Sequence, residues 1–374
     1  MHVVVSKKEL LKILAHCQGV ADKKSTMPVL GNVLLTAGKD SLKLSATDLY
    51  LAVLGDVPAK VEESGSVAVG AKDLFDRVKM MPDAMLSIST DGAQTTIRAQ
   101  GSARRYTLNG LFGEEFPALP KADEGAPKMS LEISALRDLI NSTHFSISTD
   151  ETRLHLNSAL FEWEGSHVRM VTTDGHRLSK RETSVSGDGN AKMLIPLKGV
   201  LELRRLCDEA RADGDDALVT IQQSGPNAFF AMSGFQFSVK LVDAQFPPYD
   251  QVIPSTTARS IRAPRAAVAD ALRAVSIAAS DRTGGVKLTL SNNTMRFSSE
   301  SPESGDGFDE VPVEYDEEEL TIGFNARYFL DVLSAFTDEH LVLGVSGELD
   351  PATITPGNNT DAENYLAVIM PMRI

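Results

Sequence analysis

Cysteine is nearly absent from this chain. There are two in 374 residues, Cys17 and Cys207, far apart and each inside an apolar helical pattern. A disulfide framework is thereby excluded, and two buried free thiols in a reducing, cytoplasmic interior is the reading that follows. Long hydrophobic runs are missing too. No stretch approaches the roughly 18 apolar residues of a membrane span, and the N-terminus lacks a small-residue cleavage site. There is no G-x-x-x-x-G-K-[ST] loop, and the G-x-G stretches at Ser186 and Ser304 lack the strand and helix of a dinucleotide site. The seven histidines show neither H-E-x-x-H nor paired Cys/His spacing, which argues against metal. The acidic run Asp306 to Glu319 lacks the alternating oxygen ligands of a calcium loop and reads as a solvated face. No cofactor is expected.

What is present is an ordinary globular composition, 42% hydrophobic and 24% charged, long enough for two or three domains with cores of their own. Helical periodicity begins at Ser6, Ser134 and Pro264, spaced 128 and 130 residues apart. A second series begins at Ala71, Pro196 and Asn325, spaced 125 and 129. The predicted helices are Ser6 to Cys17, Ala71 to Met81, Ser134 to Thr143, Pro196 to Ala212, Pro264 to Ser280 and Asn325 to Phe336. Strand signals repeat as well: LKLSATD ending at Asp48 matches VRMVTTD ending at Asp174, and YTLNGLFGEEFP from Tyr106 matches FSVKLVDAQFP from Phe237. The third copy is fainter, as MRFSSES and YLAVIMP. Turn pairs such as Asn292-Asn293 and Asp91-Gly92 punctuate the alternation as hairpins. The fold class is α+β in three repeated helix-and-antiparallel-sheet domains, 1–125, 126–254 and 255–374, with joints at Pro117 to Lys128 and Pro254 to Arg259. Similar units joined head to tail either continue indefinitely or close into a ring.

Formal net charge is −14, which argues against loose adsorption to nucleic acid. The six predicted helices nevertheless carry +5 between them, leaving −19 (−14 less +5) on everything else. A helix-lined basic surface can face duplex DNA through lysine and arginine contacts to phosphate. The side chains available are Lys7, Lys8, Lys12, Lys72, Arg77, Lys79, Arg137, Lys198, Arg204, Arg205, Arg265 and Arg273. A solvated helix face accounts for the same charges equally well.

Eight segments in order resemble the bacterial sliding clamp family, the beta subunit of the DNA polymerase III holoenzyme, along essentially the whole chain. They are MPVLGNVLL from Met27, LSATDL from Leu44, LFEWEG from Leu160, TTDGHRLS from Thr172, PLKGVLEL from Pro196, KLVDAQFPPYDQVIP from Lys240, IGFNARYFLDVL from Ile322 and the terminal IMPMRI. The resemblance implies the DNA-clamp fold in a head-to-tail homodimeric ring, helices lining the pore and sheets outside. It implies a processivity factor that performs no chemistry, encircles duplex DNA without reading sequence, and tethers the replicative polymerase alpha subunit, clamp loader, other polymerases and repair proteins through short peptide motifs. Lys24 and Lys198 match positions the family places near DNA. The family's peptide pocket, between the second and third domains, matches at Leu156, Thr173, Gly175, His176, Arg177, Leu178, Pro247, Val252, Val368, Met370, Pro371, Met372 and Arg373, with Arg153, His155, Asn325 and Tyr328 flanking. Methionines re-shape to fit several partners. The dimer interface matches at Tyr106 and Leu108 against Ile277 and Ala278, alanine standing where a larger apolar residue is frequent. Other departures are His155 for tyrosine, Ile374 for leucine and an extended loop from Pro356 to Asn364. The reading from another class is a hydrolase or lyase with His176 as acid-base residue; a purely structural repeat protein is a third.

Overall fold

The computed structural model describes residues 1–210, 217–232, 234–280, 284–302, 305–358 and 364–373, leaving aside the side chains of 186–188. Ile374 and most of the Pro356 to Asn364 loop therefore lie outside the described residues. The chain packs as two compact units: Met1–Ser134 with Leu201–Leu241, and Ala135–Val200 with Val242–Ile374.

Six α-helices occur among the described residues: α1 Lys7–Val20, α2 Ala71–Met80, α3 Ile133–Thr143, α4 Leu197–Ala210, α5 Arg265–Ser276 and α6 Ala326–Leu333. Each sits where the apolar period places it. In α1 the buried side chains Leu10, Ile13, Leu14, Cys17 and Val20 recur at three- and four-residue steps, the stripe of a helix with one face on a core. Three ends differ from expectation. α1 runs on to Val20 rather than stopping at Cys17, its last turn carried by the buried Val20. α5 stops at Ser276 rather than Ser280, and α6 at Leu333 rather than Phe336, because the apolar residues that continue the pattern, Ala278, Ala279 and Phe336, are buried from the turns that follow.

In the first unit, strand pairing returns to its starting point. Leu51–Glu63 runs antiparallel to Ser41–Thr47 and then to His2–Ser6. His2–Ser6 leads through Met85–Asp91, Gln94–Ala99, Arg105–Phe112, Gly65–Gly70 and Asn32–Gly38 back to Ser41–Thr47. The same long strand carries a further row at its start, where Phe235–Lys240 pairs along Leu51 to Gly55, followed by Asn227–Met232, Leu218–Ser224 and Lys128–Glu132. Those bonds explain why the packing units divide inside α3 and α4 rather than at the proline-rich joints: strands from the second sequence repeat are fastened to the first.

In the second unit the hairpin Ser158–Thr173/Arg177–Pro196 continues through Tyr365–Ile369, Ala352–Pro356, His340–Val345 and Arg259–Pro264. A four-stranded sheet runs Gly305–Pro312, Thr294–Ser301, Gly285–Ser291, Leu320–Asn325. Its central hairpin turns on Asn292 and Asn293, both at positive φ (48° and 59°), the conformation a two-residue turn between twisted strands requires. α5 and α6 bury Val268, Leu272, Phe329 and Val332 in one core with Leu288, Phe297, Leu343 and Ile354 from both sheets.

Candidate functional site

The hairpin tip Thr173 to Arg177 is held by side-chain-to-backbone hydrogen bonds. Asp174 Oδ1 accepts the amides of His176 and Arg177 at 2.9 and 3.0 Å, and Thr173 Oγ1 donates to the Arg177 carbonyl at 2.7 Å. Gly175, at φ +93°, supplies the left-handed step the turn needs. Side-chain-to-backbone bonds of this kind let an Asp-Gly sequence hold a tight corner without further strand pairing.

The turn delivers Arg177 into the protein, where it is only 7% exposed. Its Nε donates to Asp174 Oδ2 at 3.1 Å, one terminal nitrogen to Asp331 Oδ2 on α6 at 2.7 Å, and the other to the Phe145 carbonyl. The guanidinium also lies 4.4 Å from the Tyr328 ring centroid and 5.5 Å from that of Phe145. A buried cation needs this degree of satisfaction. It fixes the hairpin tip against α6, whose Tyr328 ring stacks on His176 at 6.4 Å.

The neighbouring strand ends at the same corner. Val368 pairs with Leu178, the Met370 amide donates to the His176 carbonyl at 2.9 Å, and the Met372 amide to the Gly323 carbonyl at 2.8 Å. Main-chain atoms are thus pinned while the side chains of Met370, Pro371 and Met372 stay half-buried and Arg373 is exposed. Leu178 and Val368 belong to an apolar cluster with Leu160, Val171, Phe246 and Tyr249. Leu156 is buried, Thr173, Pro247 and His155 are half-buried, and Val252 is 41% exposed. Arg153 donates from Nε to Asp150 Oδ2 at 3.0 Å, and its Nη1 lies 3.9 Å from where a Cβ on Gly175 would stand. Asn325 caps α6, its side-chain oxygen accepting from the amides of Arg327 and Tyr328 at 3.0 and 3.3 Å. Sequence reasoning missed Asp174, Asp331 and Phe145. Asp174 was readable from the Thr-Asp-Gly turn; the other two are close only in space.

The basic residues differ in exposure and in the bonds that they make. Lys8, Lys12, Lys24, Lys72, Lys79, Lys198 and Arg273 are exposed, and Arg137 and Arg204 half-buried. Lys7 donates to the Met81 carbonyl at 2.5 Å, and Arg77 to the Asp73 carbonyl at 3.0 Å. Arg205 is committed to Glu202 and Glu209, and Arg265 donates to the carbonyls of Asp338 and Leu333 at 2.7 and 3.1 Å. Those two guanidinium groups are tied into the fold, Arg205 by carboxylates and Arg265 by carbonyls. Of the four residues expected at a dimer interface, Ile277 is 80% exposed and Tyr106 half-buried, whereas Leu108 and Ala278 are only 5% and 7% exposed. Leu108 and Ala278 are largely covered by the chain itself. Among the described residues no cluster of three or more His, Cys, Asp or Glu could hold a metal ion, and no helix is long and apolar enough to cross a membrane.

Repeated α+β modules, with an apolar strand end held open beside an ordered turn, define a scaffold of the three-domain clamp type. The chain matches the DNA polymerase III beta subunit in three successive segments: its N-terminal domain over residues 1–120, its central domain over 130–248 and its C-terminal domain over 250–373. It is 33% identical over 379 residues to the beta sliding clamp of Pseudomonas aeruginosa and 30% identical over 377 to that of Escherichia coli, covering 100% of both chains in each case. Among solved structures, the Pseudomonas aeruginosa clamp bound to griselimycin matches with TM-score 0.93 at 32% identity, covering 100% of both chains. The Bacillus subtilis clamp matches with TM-score 0.93 at 25% identity over 100% of this chain and 99% of that one. The chain belongs to the DNA polymerase III beta subunit family, the beta sliding clamps. It is a processivity factor of DNA replication and not an enzyme, which sets aside the hydrolase reading of His176.

Proposed function

We propose that the corner formed by Leu156, Thr173 to Leu178, Pro247, Val252 and Val368 to Arg373, flanked by Arg153, His155, Asn325 and Tyr328, is the pocket through which this clamp holds the peptide tails of polymerase, loader and repair proteins. The observation that carries the reading is the strand end: the amides of Met370 and Met372 are fixed while their flexible thioether side chains remain half-open. Such side chains adapt to tails that share apolar character but not sequence. The griselimycin bound to the Pseudomonas aeruginosa clamp supports a pocket of small-ligand size in this chain too.

Three domains, 1–125, 126–254 and 255–374, close with those of a second chain around duplex DNA in the cytoplasm. Lys7, Lys8, Lys12, Lys24, Lys72, Arg77, Lys79, Arg137, Lys198, Arg204 and Arg273 supply the positive side chains that meet phosphate. Closure sets Tyr106 and Leu108 of one chain against Ile277 and Ala278 of the other. The test is loader-dependent capture on circular DNA. Retention on the circle at a salt concentration that strips ordinary DNA-binding proteins, and release on linearisation, is the expected result; retention that survives linearisation would refute it. Titration of a labelled Gln-leucine-phenylalanine-type tail, against the wild type and a chain lacking Met370 to Ile374, checks the pocket.

A further inference from the structure

The corner that orders Arg177 is built twice in this chain. In the first unit, Thr47 Oγ1 donates to the Leu51 carbonyl at 2.8 Å, as Thr173 Oγ1 does to that of Arg177 at 2.7 Å. The amides of Leu49 and Gly175 return to those hydroxyls at 2.9 and 3.1 Å. Asp48 Oδ1 accepts from Tyr50 and Leu51 at 2.9 and 2.6 Å, as Asp174 Oδ1 does from His176 and Arg177 at 2.9 and 3.0 Å. The Lys240 amide donates to the Tyr50 carbonyl at 2.8 Å, matching Met370 to His176 at 2.9 Å. Upstream, Asp22 to Leu30 (2.8 Å) and Leu30 to Met27 (3.1 Å) match Ser148 to Leu156 (2.9 Å) and Leu156 to Arg153 (2.8 Å). Even the left-handed step recurs, at φ +76° on Leu49 and +93° on Gly175.

The side chains mounted on this shared frame differ. Leu49 and Tyr50, in the places of Gly175 and His176, are 51% and 63% exposed, and Met27, in the place of Arg153, is 45% exposed. In the second unit the tip of Arg153 reaches to 3.9 Å from where a Cβ on Gly175 would stand. Lys240, in the place of Met370, holds its ammonium 5.8 Å from the Tyr50 ring centroid. A leucine at positive φ is uncommon and costs backbone strain that glycine would avoid. Three large apolar side chains therefore stand uncovered on one ordered corner, beside the exposed lysines 24 and 240.

We propose that this corner is a second docking site on each chain, and that its occupant is a short extended peptide segment with an acidic residue next to leucine or phenylalanine. Lys240 matches the carboxylate, while the Asp48 carboxylate is turned inward onto amides. Met27, Leu49 and Tyr50 receive the apolar residue. Duplex DNA fits less well, because phosphate contacts would engage the lysines and leave the apolar side chains uncovered. The inference rests on the second unit's own corner binding peptide, so the experiment reads both corners.

A peptide of Asp-Glu-Leu-Phe type bearing a photoreactive group is cross-linked to the full chain, and the labelled residues are mapped by mass spectrometry. The chains compared are the wild type, the chain lacking Met370 to Ile374, and the Tyr50→Ala/Lys240→Glu double variant. The expected result is label near both corners of the wild type, with the Met27 to Tyr50 zone persisting after tail deletion. The double variant should weaken that zone at least about fivefold and leave the second unit's labelling unchanged, as loss of an aromatic anchor does. Label confined to the second unit overturns this inference alone. Label at neither corner overturns it together with the pocket reading, and label at the first corner alone upholds it while refuting the pocket. Protection of Tyr50 by a short DNA duplex, without competition by the peptide, also overturns it.

Discussion

Arg177 shows how one side chain converts a turn into a site. Its guanidinium is shared between Asp174, Asp331 and the Phe145 carbonyl and lies close to two rings, so truncation leaves two carboxylates without their common cation in a half-buried place. Arg177→Ala is expected to lower stability by about 3 kcal/mol in urea titrations, the scale of breaking a buried pair, and to abolish tail binding. Arg177→Lys should recover part of the stability and little of the binding, because an ammonium cannot reproduce the fork. The identity of Arg177 was legible in the TTDGHRLS segment, and Asp174 with it, but its distant partners were not: Asp331 lies 154 residues away and is brought near only by packing. A second residue-scale consequence concerns acid. Burial raises the Glu209 carboxyl, but the bond with His16 and the charge of Arg205 outweigh it, and the net shift is below the ordinary 4.5. A carboxyl lower in the folded than the unfolded state stabilises at neutral pH, and that stability is lost as pH falls from 4.5 through the folded value. Glu209→Gln should therefore show a shallower fall in urea midpoint across that acid range than the wild type.

At the scale of elements, the six helices were readable from three- and four-residue periodicity because each presents one stripe to a core. Their last turns were not, since Ala278 and Phe336 keep the apolar pattern after the helical bonds have ended. Hairpins were readable where Asn292-Asn293 or Asp91-Gly92 set the turn. Which strands then lie side by side was not, because register depends on partners remote in sequence, as in Leu51 against Val239. Burial set by remote partners escaped for the same reason, and Leu108 on its strand and Ala278 in the turn after α5 are the examples. The cap of α6 offers a test at this scale. Asn325→Ala removes the acceptor for two first-turn amides and should cost about 1 kcal/mol in thermal or urea unfolding. Because Tyr328 sits on that first turn against Arg177 and His176, tail affinity should fall with it in the same titration.

For the whole molecule, the repeat of about one third of the chain and the −14 charge were visible at once, and the family comparisons agree with the repeat. The assembly proposed above predicts a dimer by sedimentation, and Ile277→Asp, placed on a side chain 80% exposed, should shift it toward monomer without changing the unfolding midpoint of the separated chain. One further consequence lies in the strand Leu51–Glu63, whose thirteen residues serve Ser41–Thr47, His2–Ser6 and Phe235–Lys240 in turn. A plank common to two floors cannot be lifted from one of them alone. Its central amides should be the last in this half of the protein to exchange with deuterium, and heat should carry off both layers in one calorimetric step.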